Sequence, residues 1–194
     1  MLDLSYFPSS EKEIREDTVE PDRPHRLQLR IASPQDRDGI IAVINSVAGE
    51  RKYLQTERYC PSPVWERLLS FGINVDEGLL LFVAEVDGKM VGFARLSPDS
   101  EHPLGRNAGN IGLAFLPLYR SKGFGATILN KLIGYAAGLN YRVLTADVLE
   151  TNICSKKLFT RRGFNIIGAN KKFFSFLEKD VNELRYQVEL SSMD

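Results

Sequence analysis

A basic, glycine-rich segment at 117–127, which reads P-L-Y-R-S-K-G-F-G-A-T, contains residue types suited to binding a phosphate. It follows an apolar run at 111–116 and precedes a helical pattern at 126–136. The first N–H groups of a helix have no partner inside the helix, and the helix dipole adds partial positive charge there. Gly123 and Gly125 permit a close approach of the backbone to an anion. The spacing predicts a strand, a phosphate-binding turn and a helix, with an ordinary solvated connection as the alternative.

Two common phosphate motifs do not fit this chain. The P-loop pattern G-x-x-x-x-G-K-[ST] is absent, which disfavours a nucleoside triphosphatase. A dinucleotide fingerprint that began at Gly123 would need a third glycine where Ile128 stands. Its acidic ribose ligand would be Asp147, which lies in the middle of a predicted strand rather than at its end.

The same segment resembles the signature of the GNAT superfamily of N-acetyltransferases, a strand and a proline followed by [YF]-[RQ]-x-x-G-x-[GA]. This chain reads F-L-P-L-Y-R-S-K-G-F-G. A second block agrees as well, because the predicted strand at 143–149 is followed by E-T-N-I-C-S-K-K-L-F-T-R-R-G-F at 150–164. Two blocks in register make a chance match improbable. The resemblance extends roughly from Arg26 to Leu190, and after Phe164 it rests on pattern alone.

The resemblance implies transfer of an acetyl group from acetyl-CoA to an amine by direct attack, without a metal. It places the pantetheine arm along the fourth strand, where a backbone N–H would stabilise the oxyanion, and the pyrophosphate on the turn. The side chain of Asn152 would reach the pantetheine amides, although an asparagine there is also a good helix N-cap. The implied cofactor-binding residues are Leu113, Ala114, Phe115, Arg120, Ser121, Lys122, Gly123, Phe124, Gly125, Ala126, Asn152, Ser155 and Phe159.

The catalytic residues are not assigned, because the chain departs from the family pattern at two positions. Phe159 stands where many members have a tyrosine that protonates the CoA thiolate, and Asn110 stands where a glutamate often serves as base. An alkylammonium group with a pKa of about 10.4 needs a proton acceptor at neutral pH. Glu57, Glu85 and Glu150 are open candidates for that role.

Two other functions remain open at this point. The first is a catalytically degenerate CoA-binding sensor or interaction module, suggested by Phe159 and Asn110. The second is a nucleotide-binding domain unrelated to acetyl-CoA, which would require the turn to prefer another phosphate ligand. The acceptor amine, whether a small molecule or a protein, is not readable from the sequence.

The composition is that of an ordinary globular protein of 194 residues. Basic and acidic side chains number 25 each, which disfavours nucleic acid or an anionic membrane as a partner. The chain shows neither a membrane-spanning apolar run nor a signal peptide, so we expect a cytoplasmic protein. Cys60 and Cys154 are too isolated for a metal site, and we expect both to be buried thiols. His25 and His102 lack metal-binding spacing, and we expect no metal.

The elements that position these residues can be read from periodicity and capping. We expect an acidic, flexible extension at 1–26, one GNAT domain at 27–190 and a tail at 191–194. The predicted fold is α/β (α+β), a mixed sheet of about six to seven strands flanked by about four helices and splayed between strands four and five. A homodimer is possible. The predicted strands are 27–32, 79–86, 90–96, 111–116, 141–149, 164–167 and 184–190, and the predicted helices are 34–48, one capped by Ser62, 126–136 and 153–162.

Overall fold

The protein is described by a computed structural model that covers residues 26–102, 104–174 and 179–190. Apart from Arg26, the predicted acidic extension at 1–26 and the tail at 191–194 lie outside these residues, so the division of the chain stays a prediction. The described part contains one eight-stranded mixed sheet and four α-helices, which confirms the predicted fold class. The strands are β1 (Leu27–Ile31), β2 (Ile73–Asn74), β3 (Leu79–Val86), β4 (Lys89–Pro98), β5 (Ala108–Phe115), β6 (Val143–Leu149), β7 (Asn165–Phe174) and β8 (Lys179–Glu189). The helices are α1 (Arg37–Gly49), α2 (Pro63–Phe71), α3 (Phe124–Ala136) and α4 (Ile153–Thr160).

The sheet runs in the order β1-β3-β4-β5-β6-β8-β7, with the short β2 paired to β3. Its central pair, β5 and β6, corresponds to the predicted fourth and fifth strands and is parallel. These two strands pair only between 108–110 and 143–145. Beyond Asn110 they diverge, which confirms the predicted splay and leaves a wedge-shaped gap in the middle of the sheet.

Helices cover the sheet on both faces, and strand alternation decides which side chains meet them. On β4, Ala94 and Leu96 belong to the core that α3 closes. Phe93 belongs to the second core, beneath α1 and α2, and Arg95 shares its face by alternation. Polar side chains of the central strands therefore lie on the α1 and α2 side of the sheet.

Local signals in the sequence act as predicted. The Asp36 carboxylate accepts from the Ser33 N–H at 2.8 Å, although the first turn, Pro34–Asp36, is a 3-10 turn that precedes α1. Ser62 caps α2, because its Oγ accepts from the Trp65 N–H at 3.2 Å. Asp87 and Gly88 both have positive φ, as a two-residue hairpin turn between β3 and β4 requires.

Several boundaries differ from the predicted ones. The helix after the turn begins at Phe124, two residues early, and β5 begins at Ala108 rather than Ile111. The last two strands are much longer than predicted. Every described side chain at 165–171 is exposed, so this part of β7 has no buried face to impose an alternating pattern. Within the described ranges, no helix is long and apolar enough to cross a membrane.

Candidate active site

The gap between β5 and β6 presents backbone groups of β5. The Asp99 N–H donates to the Ala108 carbonyl at 2.8 Å, and the Leu116 N–H donates to the Val91 carbonyl at 2.8 Å. In an antiparallel pair, the N–H and C=O groups of every second residue point toward the partner strand. Since Ala108 and Leu116 point toward β4, the N–H and C=O groups of Ile111 and Leu113 point away from it. They face the gap, where an extended ligand could pair with them.

The other two residues predicted to pair with pantetheine are placed differently. By the same alternation, the backbone groups of Ala114 point toward β4. The Phe115 carbonyl faces the gap but accepts from Arg120 Nε at 2.7 Å. Of the predicted stretch Leu113 to Phe115, Leu113 is therefore the residue whose N–H and C=O groups are both directed to the gap.

The turn before α3 has the geometry of an anion-binding loop. Ser121 and Gly123 have φ of 59° and 86°, and Gly123 is the N-cap of α3. The Ala126 N–H already donates to the Gly123 carbonyl at 3.0 Å. The N–H groups that bind an anion would therefore come from residues 121–125. A Cβ at Gly125 would lie 3.4 Å from Leu158 Cδ2, so a larger side chain there would project between β5 and α4.

One continuous cavity of about 770 Å³ joins the gap, the turn and the α1 and α2 side of the sheet. Lys122 and Phe124 do not line this cavity, and the Phe124 ring is buried against Phe115. The remaining predicted cofactor residues all line it, namely Leu113, Ala114, Phe115, Arg120, Ser121, Gly123, Gly125, Ala126, Asn152, Ser155 and Phe159.

Arg120 is tied to the segment that follows α1. Its guanidinium binds both carboxylate oxygens of Glu50, at 2.7 and 2.5 Å, and lies 4.4 Å over the Tyr53 ring. The hydrogen bonds between the two side chains raise the pKa of Arg120 and lower that of Glu50. Its predicted place beside the phosphates stays a prediction, since the structure shows Arg120 joining the turn to another part of the cavity wall.

The block around α4 combines structural and cavity-lining roles. Asn152 Oδ1 accepts from the Ser155 N–H at 3.1 Å, which is the N-cap contact. Capping uses the oxygen of the amide, and the predicted contact of Asn152 with pantetheine stays a prediction. Phe159 packs edge-on against Phe164. Cys60 and Cys154 line the cavity and are exposed, so the expectation of buried thiols is wrong for both.

The end of the cavity away from the turn, which we call the acceptor half, has aromatic walls. Trp65 packs edge-on against Tyr59 and Phe93, with ring centroids 6.0 and 5.7 Å apart. Tyr59 donates to Glu66, and burial together with this contact raises the pKa of Tyr59 to about 12. The walls can therefore accommodate an apolar or aromatic group.

A row of three polar side chains crosses the floor of the acceptor half. Arg95 Nη2 donates to Asn110 Oδ1 at 3.1 Å, and Asn110 Nδ2 donates to Asp147 Oδ2 at 2.9 Å. Burial raises the pKa of the Asp147 carboxyl and lowers that of the Arg95 guanidinium. One neutral amide thus separates a cation from an anion.

Further charged groups surround Asp147. Arg185 Nη1 lies 3.5 Å from Asp147 Oδ1, and the same guanidinium forms an ion pair with Asp99. The positive charge of Arg185 favours the ionised form of Asp147, whereas the charges of Glu183 and Asp99 oppose it. Since burial is the largest influence, the pKa of Asp147 stays above its usual value.

The three glutamates considered from the sequence do not line the cavity. Glu85 forms an ion pair with Arg30 at 2.6 Å, and Glu150 accepts from Asn182 at 2.8 Å. The carboxylate in the cavity is Asp147, one strand away from Asn110. A single acidic residue inside the apolar run V-L-T-A-D-V-L was the sequence signal for it. Among the described residues, no group of three or more His, Cys, Asp or Glu side chains could hold a metal ion.

Comparison with known proteins identifies the family. The model of the Acetyltransferase (GNAT) family matches residues 46–164. An uncharacterized N-acetyltransferase of Archaeoglobus fulgidus is 29% identical over 136 residues, which are 69% of this chain and 89% of the relative.

Solved structures share the fold. The phosphinothricin acetyltransferase of Sinorhizobium meliloti, solved with acetyl-CoA, matches with a TM-score of 0.72 and 23% identity over 84% of this chain and 88% of its own. The ribosomal-protein-alanine N-acetyltransferase of Brucella melitensis matches with a TM-score of 0.72 and 23% identity, over 84% of this chain and 99% of its own.

The family match spans the predicted turn, the wedge of the sheet and the block around α4. It therefore selects the enzyme over the degenerate module and the unrelated nucleotide-binding domain. The chain belongs to the GNAT family and is an acetyl-CoA-dependent acyltransferase.

Proposed function

We propose that the protein transfers the acetyl group of acetyl-CoA directly to a primary amine, with Asp147 as the proton acceptor. The observation that carries this proposal is the continuity of the cavity, which places the backbone of Leu113 and the carboxylate of Asp147 in one space. The two named structural relatives act on a small molecule and on a protein, so the acceptor has to be inferred from this chain's own residues.

In the proposed reaction the amine nitrogen attacks the thioester carbonyl and the C–S bond breaks. A backbone N–H in the wedge, for which Leu113 is best placed, would stabilise the oxyanion. The acceptor arrives as an ammonium ion, and Asp147 takes its proton before the attack. Its raised pKa makes Asp147 a stronger base than an ordinary aspartate.

The leaving thiolate needs no acid from Phe159, whose ring carries no hydroxyl. A thiol has an ordinary pKa of about 8.5, so the thiolate is a tolerable leaving group near neutral pH. After the attack the nitrogen loses its second proton to water, and water supplies the proton that the thiolate takes up. We therefore expect turnover without a tyrosine at this position.

The proposal is tested by calorimetric titration with acetyl-CoA, CoA, NAD and ATP, followed by an assay of thiol release with an amine panel. We expect binding restricted to CoA species and turnover with some amines. Gly125→Asp should abolish binding, because it places a side chain and a negative charge in the wedge. Gly125→Ala is the matched control, since its Cβ meets Leu158 at an ordinary contact distance of 3.4 Å. Absence of CoA binding by the folded wild-type protein would refute the proposal.

A further inference from the structure

The guanidinium of Arg95 is a cation in the acceptor half, and the Asn110 amide separates it from the Asp147 carboxylate. Its hydrogen bonds run to two neutral groups, Ser97 Oγ at 3.0 Å and Asn110 Oδ1 at 3.1 Å. Among residues 26–102, 104–174 and 179–190, no carboxylate forms an ion pair with it. Because a buried charge is costly unless it is paired, a cavity-lining arginine of this kind is suited to an anionic ligand.

The local structure holds this guanidinium in a fixed position. A Cβ at Gly112 would lie 3.0 Å from Arg95 Nε, so the absence of a side chain at Gly112 allows the arginine to lie across β5. On another side, Arg95 Cζ lies 5.8 Å over the Trp65 ring. An arginine fixed by packing presents its N–H groups in the planar arrangement that a carboxylate can accept in pairs.

The distance between Arg95 and Asp147 is set by Asn110. Arg95 donates to one end of the Asn110 amide, and Asp147 accepts from the other end. This bridge keeps the cation and the anion close together and prevents their direct pairing. An ammonium and a carboxylate group joined by one carbon atom present the complementary pair of charges.

We propose that the acceptor is a free α-amino acid, whose carboxylate binds Arg95 while its amino group faces Asp147. Its side chain would lie against the aromatic walls formed by Tyr59, Trp65 and Phe93, which favours apolar or aromatic amino acids. This inference rests on the proposed function, because it names the substrate class of the same site.

The test compares three acceptors that share one side chain: an amino acid, its α-amide and its decarboxylated amine. Phenylalanine, leucine and methionine provide three such sets, and mass spectrometry identifies the acetylated products. We expect kcat/KM for the amino acid to exceed that for its amide and its amine by at least about tenfold. The α-amide has the less basic amine, so a larger fraction of it is unprotonated at neutral pH, and without recognition of the carboxylate the amide would react at least as well as the amino acid.

The variants Arg95→Gln and Arg95→Lys identify the group responsible. We expect Arg95→Gln to lower kcat/KM for amino acids by at least about tenfold, mainly through KM, and to lower kcat/KM for the amides and amines by a clearly smaller factor. Arg95→Lys, which keeps the charge, should recover part of the loss. Arg67→Gln removes a surface ion pair with Glu77 and is the matched control.

Each outcome decides between the two proposals. Turnover of amines without preference for the carboxylate, or acetylation of peptides and amides alone, overturns the amino-acid inference and leaves the proposed function intact. An equal loss for all three acceptors in Arg95→Gln also overturns it. If no acetyl-CoA binds to the wild-type protein, the proposed function itself fails. The wild-type comparison does not depend on whether any variant folds.

Discussion

The ionisable groups in the cavity differ from the usual family pattern at two positions, Phe159 and Asn110. Asn110 occupies the place of the usual glutamate, and the carboxylate is found on the adjacent strand at Asp147. Asn110 then has a different role, since its amide accepts from Arg95 and donates to Asp147. Because the carboxylate is on β6 rather than on β5, the Asn110 amide can lie between the charges of Arg95 and Asp147.

Asp147→Asn tests the proton acceptor. We expect kcat/KM to fall by about 10²- to 10⁴-fold, as for the loss of a general base, with unchanged affinity for acetyl-CoA. In the wild-type protein the rate should fall as the pH decreases through the raised pKa of Asp147, because the protonated carboxyl cannot accept a proton. This dependence should be absent in Asp147→Asn. Steady-state kinetics across pH measure both effects, with Glu150→Gln as a control outside the cavity.

Asp147→Asn should lower the activity of the protein but raise its thermal stability at neutral pH. The folded state raises the pKa of Asp147, so it binds the proton more tightly than the unfolded chain. Stability is therefore lost as the pH rises from the unfolded value through the folded one, and Asp147→Asn avoids this loss. The variant should have a higher Tm than the wild type at pH 7 and a matching Tm at low pH. A lower Tm at pH 7 would contradict the assigned burial.

At the scale of elements, the turn before α3 is held in place by the segment after α1. Arg120 donates to the Phe115 carbonyl and to both oxygens of Glu50, so it joins the end of β5 to the end of α1. The position of the turn therefore depends on an ion pair between residues far apart in sequence.

Glu50→Gln and Arg120→Gln test this connection. If the ion pair positions the turn, each variant should weaken acetyl-CoA binding by a similar factor, about fivefold, which corresponds to about 1 kcal/mol for a partly exposed pair. The double variant should lose little more than either single one. Calorimetric titration measures the affinities, and Arg37→Gln, which removes the separate ion pair with Glu66, is the control. A loss in Arg120→Gln alone would instead indicate direct contact of Arg120 with the phosphates.

Elements with caps or a buried face were predictable, and exposed ones were not. Ser33, Asp36 and Ser62 identified the starts of the first two helices, and the D-G pair identified the hairpin. The strand β7 was predicted too short, since its described side chains face solvent and carry no periodic signal. The gap and the turn, which we call the donor half of the cavity, followed from two motifs. The acceptor half did not, because Arg95, Asn110 and Asp147 are brought together only by the pairing of β4, β5 and β6.

At the scale of the whole molecule, the sheet consists of two parts joined at β5 and β6 by a short parallel pairing. The first part contains the strands from β1 to β5, and the second contains β6, β8 and β7. A ligand that lies in the wedge contacts both parts, so its binding should stabilise the fold as a unit.

Hydrogen exchange with and without acetyl-CoA tests this arrangement. The amides of Ile111 and Leu113 should exchange more slowly in the complex, whereas the amides of β1 and β3 should change little. At 100 times Kd the ligand adds about 2.7 kcal/mol of stability, which for a domain of this size raises Tm by about 5–10 °C. Protection that is absent from β5, or spread evenly over the sheet, would contradict the assigned wedge.

In the proposed function, the donor half of the cavity binds acetyl-CoA largely through main-chain groups, namely the amides of β5 and of the turn. A point mutation cannot remove a peptide N–H unless it introduces proline, so acetyl donation is shielded from most genetic change. The acceptor half rests on side chains such as Trp65, Arg95 and Asp147, and each can be exchanged by a single codon. A lineage carrying this fold can therefore acquire a new acceptor while it retains its old donor, and relatives with the same fold would diverge first in what they acetylate.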